Sequence, residues 1–368
     1  MHGLAALQNM FLWQVLMGNR KGLPLRHELM YNRRVHITNL KNNETQNNHT
    51  QSPMKHIILL CTLLIACQAV SVGQIARNSI DSSAIKAFTK AIERNPNNIN
   101  AYSRRAERKY RLKDYHGAID DYTRIIELKY NQPDAYYDRG KAKAALLDYH
   151  GAIEDYTKAI EVIASIKDTN LDSTAEDHIS ESSCYYARGK TKATLTDYLG
   201  AILDYTKAIE ADSEFLDYYH IYRGMAKAAL NNHEDAIQDY NMVLNRKDIL
   251  CSVGMEGYFY QRGISKAALE DYEGAIKDFT YEMEVDPFNA NAYTGRGLSK
   301  EKLQDYEEAI DDFTQAIELD PENAAAYYYR GNTKVGTKLI KSSGCSDWHK
   351  AAELGHKKAL DSVQRYCK

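Results

Sequence analysis

Catalytic signatures are what this chain lacks. It holds no G-x-S-x-G, no H-E-x-x-H, no P-loop and no glycine-rich dinucleotide loop. No nucleophile, metal-assisted hydrolase or cofactor cradle is therefore indicated, and a non-enzymatic protein without cofactors is expected. Proline is scarce, six in 368 residues, as helices joined by short turns require. The six cysteines include no C-x-x-C pair and no Cys–His cluster, and the twelve histidines are scattered, so no metal site is expected. A basic excess is missing as well. From residue 74 onward 40 basic side chains face 48 acidic ones, which argues against nucleic acid as a partner.

What is present is a period of 34 residues. In the phrase D-Y-x-G-A-I and its variants, the Ala recurs as Ala118, Ala152, Ala201, Ala236, Ala275 and Ala309. The first and last pairs are 34 apart; the other gaps are 34 plus insertions of 15, 1 and 5. A period in this range predicts stacked supersecondary units rather than one globular core. We number each unit so that this Ala is position 20. Position 24 is then always aromatic (Tyr122, Tyr156, Tyr205, Tyr240, Phe279, Phe313) and position 27 mostly small. Positions 20, 24 and 27 share one helical face. Position 8 is Ala106 and then Gly140, Gly189, Gly224, Gly263, Gly297 and Gly331, on a preceding helix. Small residues on facing helices permit close approach, with the ring filling the space beside them. Asp114, Asp148, Asp197, Asn232, Asp271 and Asp305 fall where an N-cap is needed between the two helices.

This pattern resembles the tetratricopeptide repeat (TPR) family, in its R-G-x-x-K variety, over six complete helix pairs from about residue 99 to 323. The resemblance implies an all-α, right-handed superhelical solenoid of antiparallel helix pairs with a C-terminal capping hairpin. The expected organisation is an upstream extension over 1–53, a signal peptide or anchor over 54–73, and a half-repeat cap over 74–98. The array occupies 99–341, in units 99–132, 133–166, 182–215, 217–250, 256–289 and 290–323 with a partial unit 324–341, and a capping hairpin covers 342–368. Two departures stand out. The family's Leu at position 7 is Arg and its Tyr at position 11 is Lys. Glu282 takes a position reserved for a small residue, so the fifth pair is expected to pack less tightly.

The N-terminal stretch has another character. Its first 73 residues carry seven Lys or Arg against two Asp or Glu. Met54-Lys55-His56 leads into an apolar run from Ile57 to Ile65 and then small residues to Gly73, the order of a secretory signal. Translation from Met54 and export to the periplasm or cell envelope are expected, with cleavage before Gln74. A signal-anchor is the alternative, as is acylation of Cys67 after the lipobox-like Leu64-Ile65-Ala66. The membrane would be touched only through this segment. At the other end, Cys345 and Cys367 bracket a predicted helical hairpin. Helices of about nine and eleven residues rise ~13 and ~16 Å, so an antiparallel pair returns Cys367 to Cys345 and predicts a disulfide; two buried thiols are the alternative. Ser346 is the expected N-cap of the hairpin, Gly355 its C-cap, and Trp348 closes the last apolar face.

Charges repeat in register. Position 7 is Arg in seven first helices (Arg105, Arg139, Arg188, Arg223, Arg262, Arg296, Arg330) and position 11 is Lys (Lys109, Lys143, Lys192, Lys227, Lys266, Lys300, Lys334). Position 23 is Asp in six second helices (Asp121, Asp155, Asp204, Asp239, Asp278, Asp312). A ladder joining helix to helix and unit to unit is expected; a lysine column facing an anionic partner is the alternative. The family resemblance places the groove at first-helix positions 2, 5, 9 and 12. There Tyr137, Tyr186, Tyr260 and Tyr328 stand over an apolar floor of Met225, Ile264 and Leu298, with Lys141 and Lys190 toward the N-terminal side and Asn332 at the far end. Such a surface suits an extended or helical peptide; alternatively the tyrosines pack on the neighbouring second helix. No Lys occupies position 5, so the carboxylate clamp of chaperone-binding relatives is not implied. The expected partner is thus a protein or peptide, with self-association as the structural alternative.

Overall fold

The computed structural model describes residues 78–168, 179–212, 215–244, 257–338 and 341–367. Met54, Cys67 and the signal-like run lie outside them. The chain divides into two units, Met1–Ser83 and Ala84–Lys368. The described residues of the first are the opening of a helix, α1, over 78–94, and the second unit carries the repeats.

Among the described residues seven helix pairs succeed α1, and no strand is present. They are α2 (Ile99–Arg111) with α3 (Tyr115–Leu128), α4 (Pro133–Ala145) with α5 (Tyr149–Asp168), and α6 (Glu181–Thr194) with α7 (Tyr198–Ala211). Next come α8 (Leu216–Ala229) with α9 (His233–Leu244), α10 (Tyr258–Ala268) with α11 (Tyr272–Val285), and α12 (Ala290–Lys302) with α13 (Tyr306–Leu319). The seventh pair is α14 (Ala324–Lys338) with α15 (Cys345–Glu353), and α16 (Lys357–Tyr366) ends the chain. Each helix packs chiefly on its sequence neighbours, which is the solenoid expected from the period.

The core of each pair is the small–aromatic contact read from the sequence. A Cβ added at Gly140 would lie 2.8 Å from the Tyr156 ring, at Gly224 2.7 Å from Tyr240, and at Gly297 2.9 Å from Phe313. In these pairs the helices touch where only glycine fits, while the first pair carries the buried Ala106 at the same position. The same test at Gly331 meets Trp348 at 2.8 Å. Trp348 thus fills the aromatic place of the seventh pair, and α15 acts as its second helix.

Turns inside the pairs share one geometry. The residue before the capping Asp or Asn has positive φ without being glycine: Lys113, Leu147, Thr196, Asn231, Glu270 and Gln304, at 60–70°. The next amide then bonds back to the position 11 carbonyl, as in Asp114 N to Lys109 O at 2.9 Å, a Schellman closure. Asp114, Asp148, Asp197 and Asp271 each accept the amide three residues on, at 2.9–3.0 Å, and Asn232 does so at 3.3 Å. Two expected caps differ. Asp305 makes no side-chain cap bond, and α15 starts at Cys345 behind Gly344, with Ser346 inside the helix. Gly355 does take the left-handed conformation after α15, at φ 88°.

Glu282 has a hydrogen-bonding role in the fifth pair. Helix α10 begins at position 3, later than its counterparts, behind Gly257, which offers no capping side chain. Glu282, fully buried, supplies the cap from the facing helix. Its Oε1 accepts from Gly257 N at 2.9 Å and Asn289 Nδ2 at 3.0 Å, and its Oε2 from Tyr260 N at 3.3 Å. Burial nevertheless raises its pKa above the ordinary glutamate value. Glu282→Ala restores the residue usual at this position, yet it should destabilise by about 1–3 kcal/mol because three half-buried donors lose their acceptor. The pH dependence has a definite sign. A folded pKa raised above about 4.3 means that this group favours folding most below that pH and loses that advantage as pH rises through the folded value. Denaturation of wild type and Glu282→Gln across pH should show wild type losing ground as pH rises; a constant difference would contradict the burial effect.

Candidate partner-binding surface

The charged ladder comes first, because it decides which charges remain for a partner. In every pair the position 7 Arg grips the second-helix Asp with two nitrogens. Arg105 Nε and Nη2 lie 2.9 and 2.6 Å from Asp121, and Arg223, Arg262 and Arg296 repeat the grip on Asp239, Asp278 and Asp312. The position 11 Lys completes each triad at 2.8–3.0 Å, from Lys109–Asp121 to Lys300–Asp312. The seventh pair does the same with Asp347, gripped by Arg330 and Lys334 at 2.7 and 2.8 Å. The lysine column is therefore spent inside the units, and the alternative of a lysine-lined anion face is removed.

The link between units runs through a hydroxyl. The remaining Arg nitrogen, Nη1, donates to position 25 of the preceding unit: Thr89, Thr123, Thr157, Thr206, Asn241, Thr280 and Thr314, at 3.0–3.2 Å. The guanidinium also lies over the position 4 ring, as Arg188 does over Tyr185 at 5.4 Å. The fourth unit differs, with His220 in place of the ring and its Nδ1 3.1 Å from Asp239. Burial alone would raise the Asp239 pKa, but hydrogen bonds from His220, Arg223 and Lys227 hold it well below the usual carboxylate range.

The position 5 tyrosines do pack on the second-helix rings. Tyr137 lies 5.7 Å from Tyr156, Tyr186 6.1 Å from Tyr205, and Tyr260 5.9 Å from Phe279, centroid to centroid. They are half-buried. Lys141 sits over the rings of Tyr110 and Tyr137 and pairs with Asp138 at 3.0 Å. Lys190 is exposed, 5.8 Å from the Tyr222 ring. Met225 and Ile264 are the most open aliphatic groups of the set, each 37% exposed, and Leu298 is half-buried. Tyr328 and Asn332 face the last helices instead. Tyr328 stacks on His356 at 4.2 Å, and Asn332 Oδ1 accepts from Trp348 Nε1 at 2.9 Å.

Sequence reading missed part of this surface. Tyr222, at position 6, joins Tyr186 at 5.2 Å, and Tyr219 joins it at 5.6 Å. Together with Tyr205 they form one aromatic cluster where the third and fourth units meet. A column for position 6 would have shown Tyr222, but that position lies outside the four that the family resemblance marks. At the chain's end, Cys345 and Cys367 form a disulfide with Cα atoms 5.6 Å apart, tying the start of α15 to the end of α16.

Helix pairs stacked in one direction, an interior ladder spent on stacking, and an open row of first-helix side chains define a helical-repeat solenoid of TPR type. Residues 290–323 and 133–165 each match the tetratricopeptide repeat. Solved structures agree on the fold. A chain of the APC/C hetero-tetramer Cut9–Hcn1 aligns over 77% of this chain and 52% of its own, at 15% identity and TM-score 0.50; this chain spans about half its length. The C-terminal part of a TPR repeat-containing protein from Cytophaga hutchinsonii aligns over 71% here and 98% there, at 20% identity and TM-score 0.53. A tetratricopeptide repeat protein from Parabacteroides merdae aligns over 76% and 99%, at 16% identity and TM-score 0.51. No curated protein matches the chain in sequence.

Proposed function

We propose that this chain is a non-catalytic protein–protein interaction scaffold of the cell envelope that holds an extended or helical peptide segment on its first-helix face. One observation carries the reading. The ladder cations are consumed within the units, whereas Met225 and Ile264 remain open on the first helices of the fourth and fifth units, and the Tyr186–Tyr222 cluster lies where the third and fourth units meet. An apolar strip edged by tyrosines, with Lys190 exposed at one side, matches the anchor-and-rim composition of peptide-binding surfaces. Export is supported by the Met54–Gly73 pattern and by the Cys345–Cys367 bond, which needs an oxidising compartment.

The test is a pull-down from envelope extract with residues 74–368, beside the double variant Met225→Asp and Ile264→Asp. Both positions are solvent-exposed, so the fold should survive. Loss of two anchors should lower capture of a specific partner by at least about tenfold. Equal capture by both proteins would exclude this face. Light scattering of the same preparations separates a foreign partner from self-assembly.

A further inference from the structure

The last helix builds a second, unrelated recess. Helix α14 presents Tyr328, Asn332 and Val335, and α16 presents Lys358, Ser362 and Arg365; each trio is spaced i, i+4, i+7 and so lies on one helical face. The two faces line a cleft of about 490 Å³, with Trp348 and Tyr366 between them and Asp361 on the rim. Trp348 is buried to 3% exposure, its indole held by Asn332 Oδ1 and its ring 5.7 Å from Tyr366. The walls differ in kind: rings and an aliphatic group on one side, cations and a hydroxyl on the other.

These cations differ from those of the ladder. Every position 7 Arg and position 11 Lys of the array has a carboxylate partner. Lys358 and Arg365, both exposed, have none within ion-pair distance among the described residues. Arg365 lies over the Tyr366 ring, at 5.6 Å. Asp361 offsets one of the two charges and leaves the rim net positive. Asn332, its oxygen taken by Trp348, still has its amide hydrogens to give.

We propose that this cleft binds a small organic acid with an aromatic or short aliphatic body. The apolar body lies against Tyr328, Val335 and Trp348. The carboxylate accepts hydrogen bonds from Lys358 and Arg365, while the Ser362 hydroxyl donates to the Lys358 carbonyl at 3.2 Å. The volume is in the range of small-molecule sites, and a few donors at one edge of an apolar recess are the composition such sites use. The site does not depend on the peptide face: a first-helix surface that binds nothing would leave it intact.

The experiment titrates 4-phenylbutyrate, and 4-phenylbutanol as its uncharged match, into the full chain carrying Trp13→Phe. Trp348 is then the sole tryptophan, and its emission reports the cleft. The acid should bind at least about tenfold more tightly than the alcohol, the worth of one or two charge-assisted contacts at an exposed rim. Lys358→Gln with Arg365→Gln should bring the acid down to the alcohol's affinity without affecting the alcohol, and Asp361→Asn should tighten the acid. Circular dichroism checks that each variant folds. If one does not, the salt dependence of wild type serves instead: added salt should weaken the acid and spare the alcohol. Equal affinity for acid and alcohol, acid binding untouched by the double substitution or by salt, or no response to either ligand would each overturn the proposal.

Discussion

Asp239→Ala should be among the most damaging single substitutions in the array, costing about 3–5 kcal/mol, because it strands cations that are mostly buried. Arg223 and Lys227 lie 2.6 and 2.8 Å from its carboxylate with under a fifth of each side chain exposed, and His220 adds a third contact. Asp312→Ala should cost less. Its lysine, Lys300, also reaches Glu308 at 3.0 Å and so keeps a partner. Position along the array suggests that central units suffer more than terminal ones; the structure bases the ranking on the partners each Asp holds. Denaturant unfolding of the two variants measures the difference, and equal, near-zero losses would reject the ladder as a stabilising device. The linkage has a sign that acid titration can check. Asp239 and Asp347 are held below the ordinary aspartate value. Their contribution is therefore complete above about pH 4, the unfolded pKa, and is lost as pH falls toward the folded values. Acid should destabilise wild type more than it does Asp239→Ala.

Cys345→Ser should lower the stability of the C-terminal pair by about 3 kcal/mol, the chain-entropy value for a loop closed across the observed 22-residue separation. The effect should stay local, because solenoid units feel chiefly their neighbours. Hydrogen exchange should speed up in α15 and α16, where the bond joins the two ends of the hairpin, and spread into α14 through Asp347 and Trp348. Helices α2 to α7 should exchange as before. Unchanged protection in α16, or two titratable thiols in the native protein, would show that the bond does not form or does not hold the helix.

The pair architecture was legible because its signals are local. Gly140, Tyr156 and Ala152 recur at fixed spacing, and each spacing names a helical face whatever the neighbours do. The Arg–Lys–Asp register was legible for the same reason. The cap was only half legible. In the seventh pair the Asp lies 17 residues beyond its Arg, against 16 elsewhere, and the repeat phrase is gone. The short 3₁₀ turn Lys341–Gly344 absorbs the extra residue. Only then does Asp347 meet Arg330, and Trp348 meet Gly331.

Sequence by itself determined the period, the helix pairs and the small–aromatic contacts, all of which come from distances along one or two helices. Tertiary structure decided what happens between units. It gave each Arg a Thr or Asn of the preceding unit, turned Glu282 from a misfit into the cap of a late-starting helix, used the lysine column internally, and set Lys358 and Arg365 across a cleft from Tyr328. Stacking brings these groups together through space, so spacing along the chain carries no trace of which pairs meet.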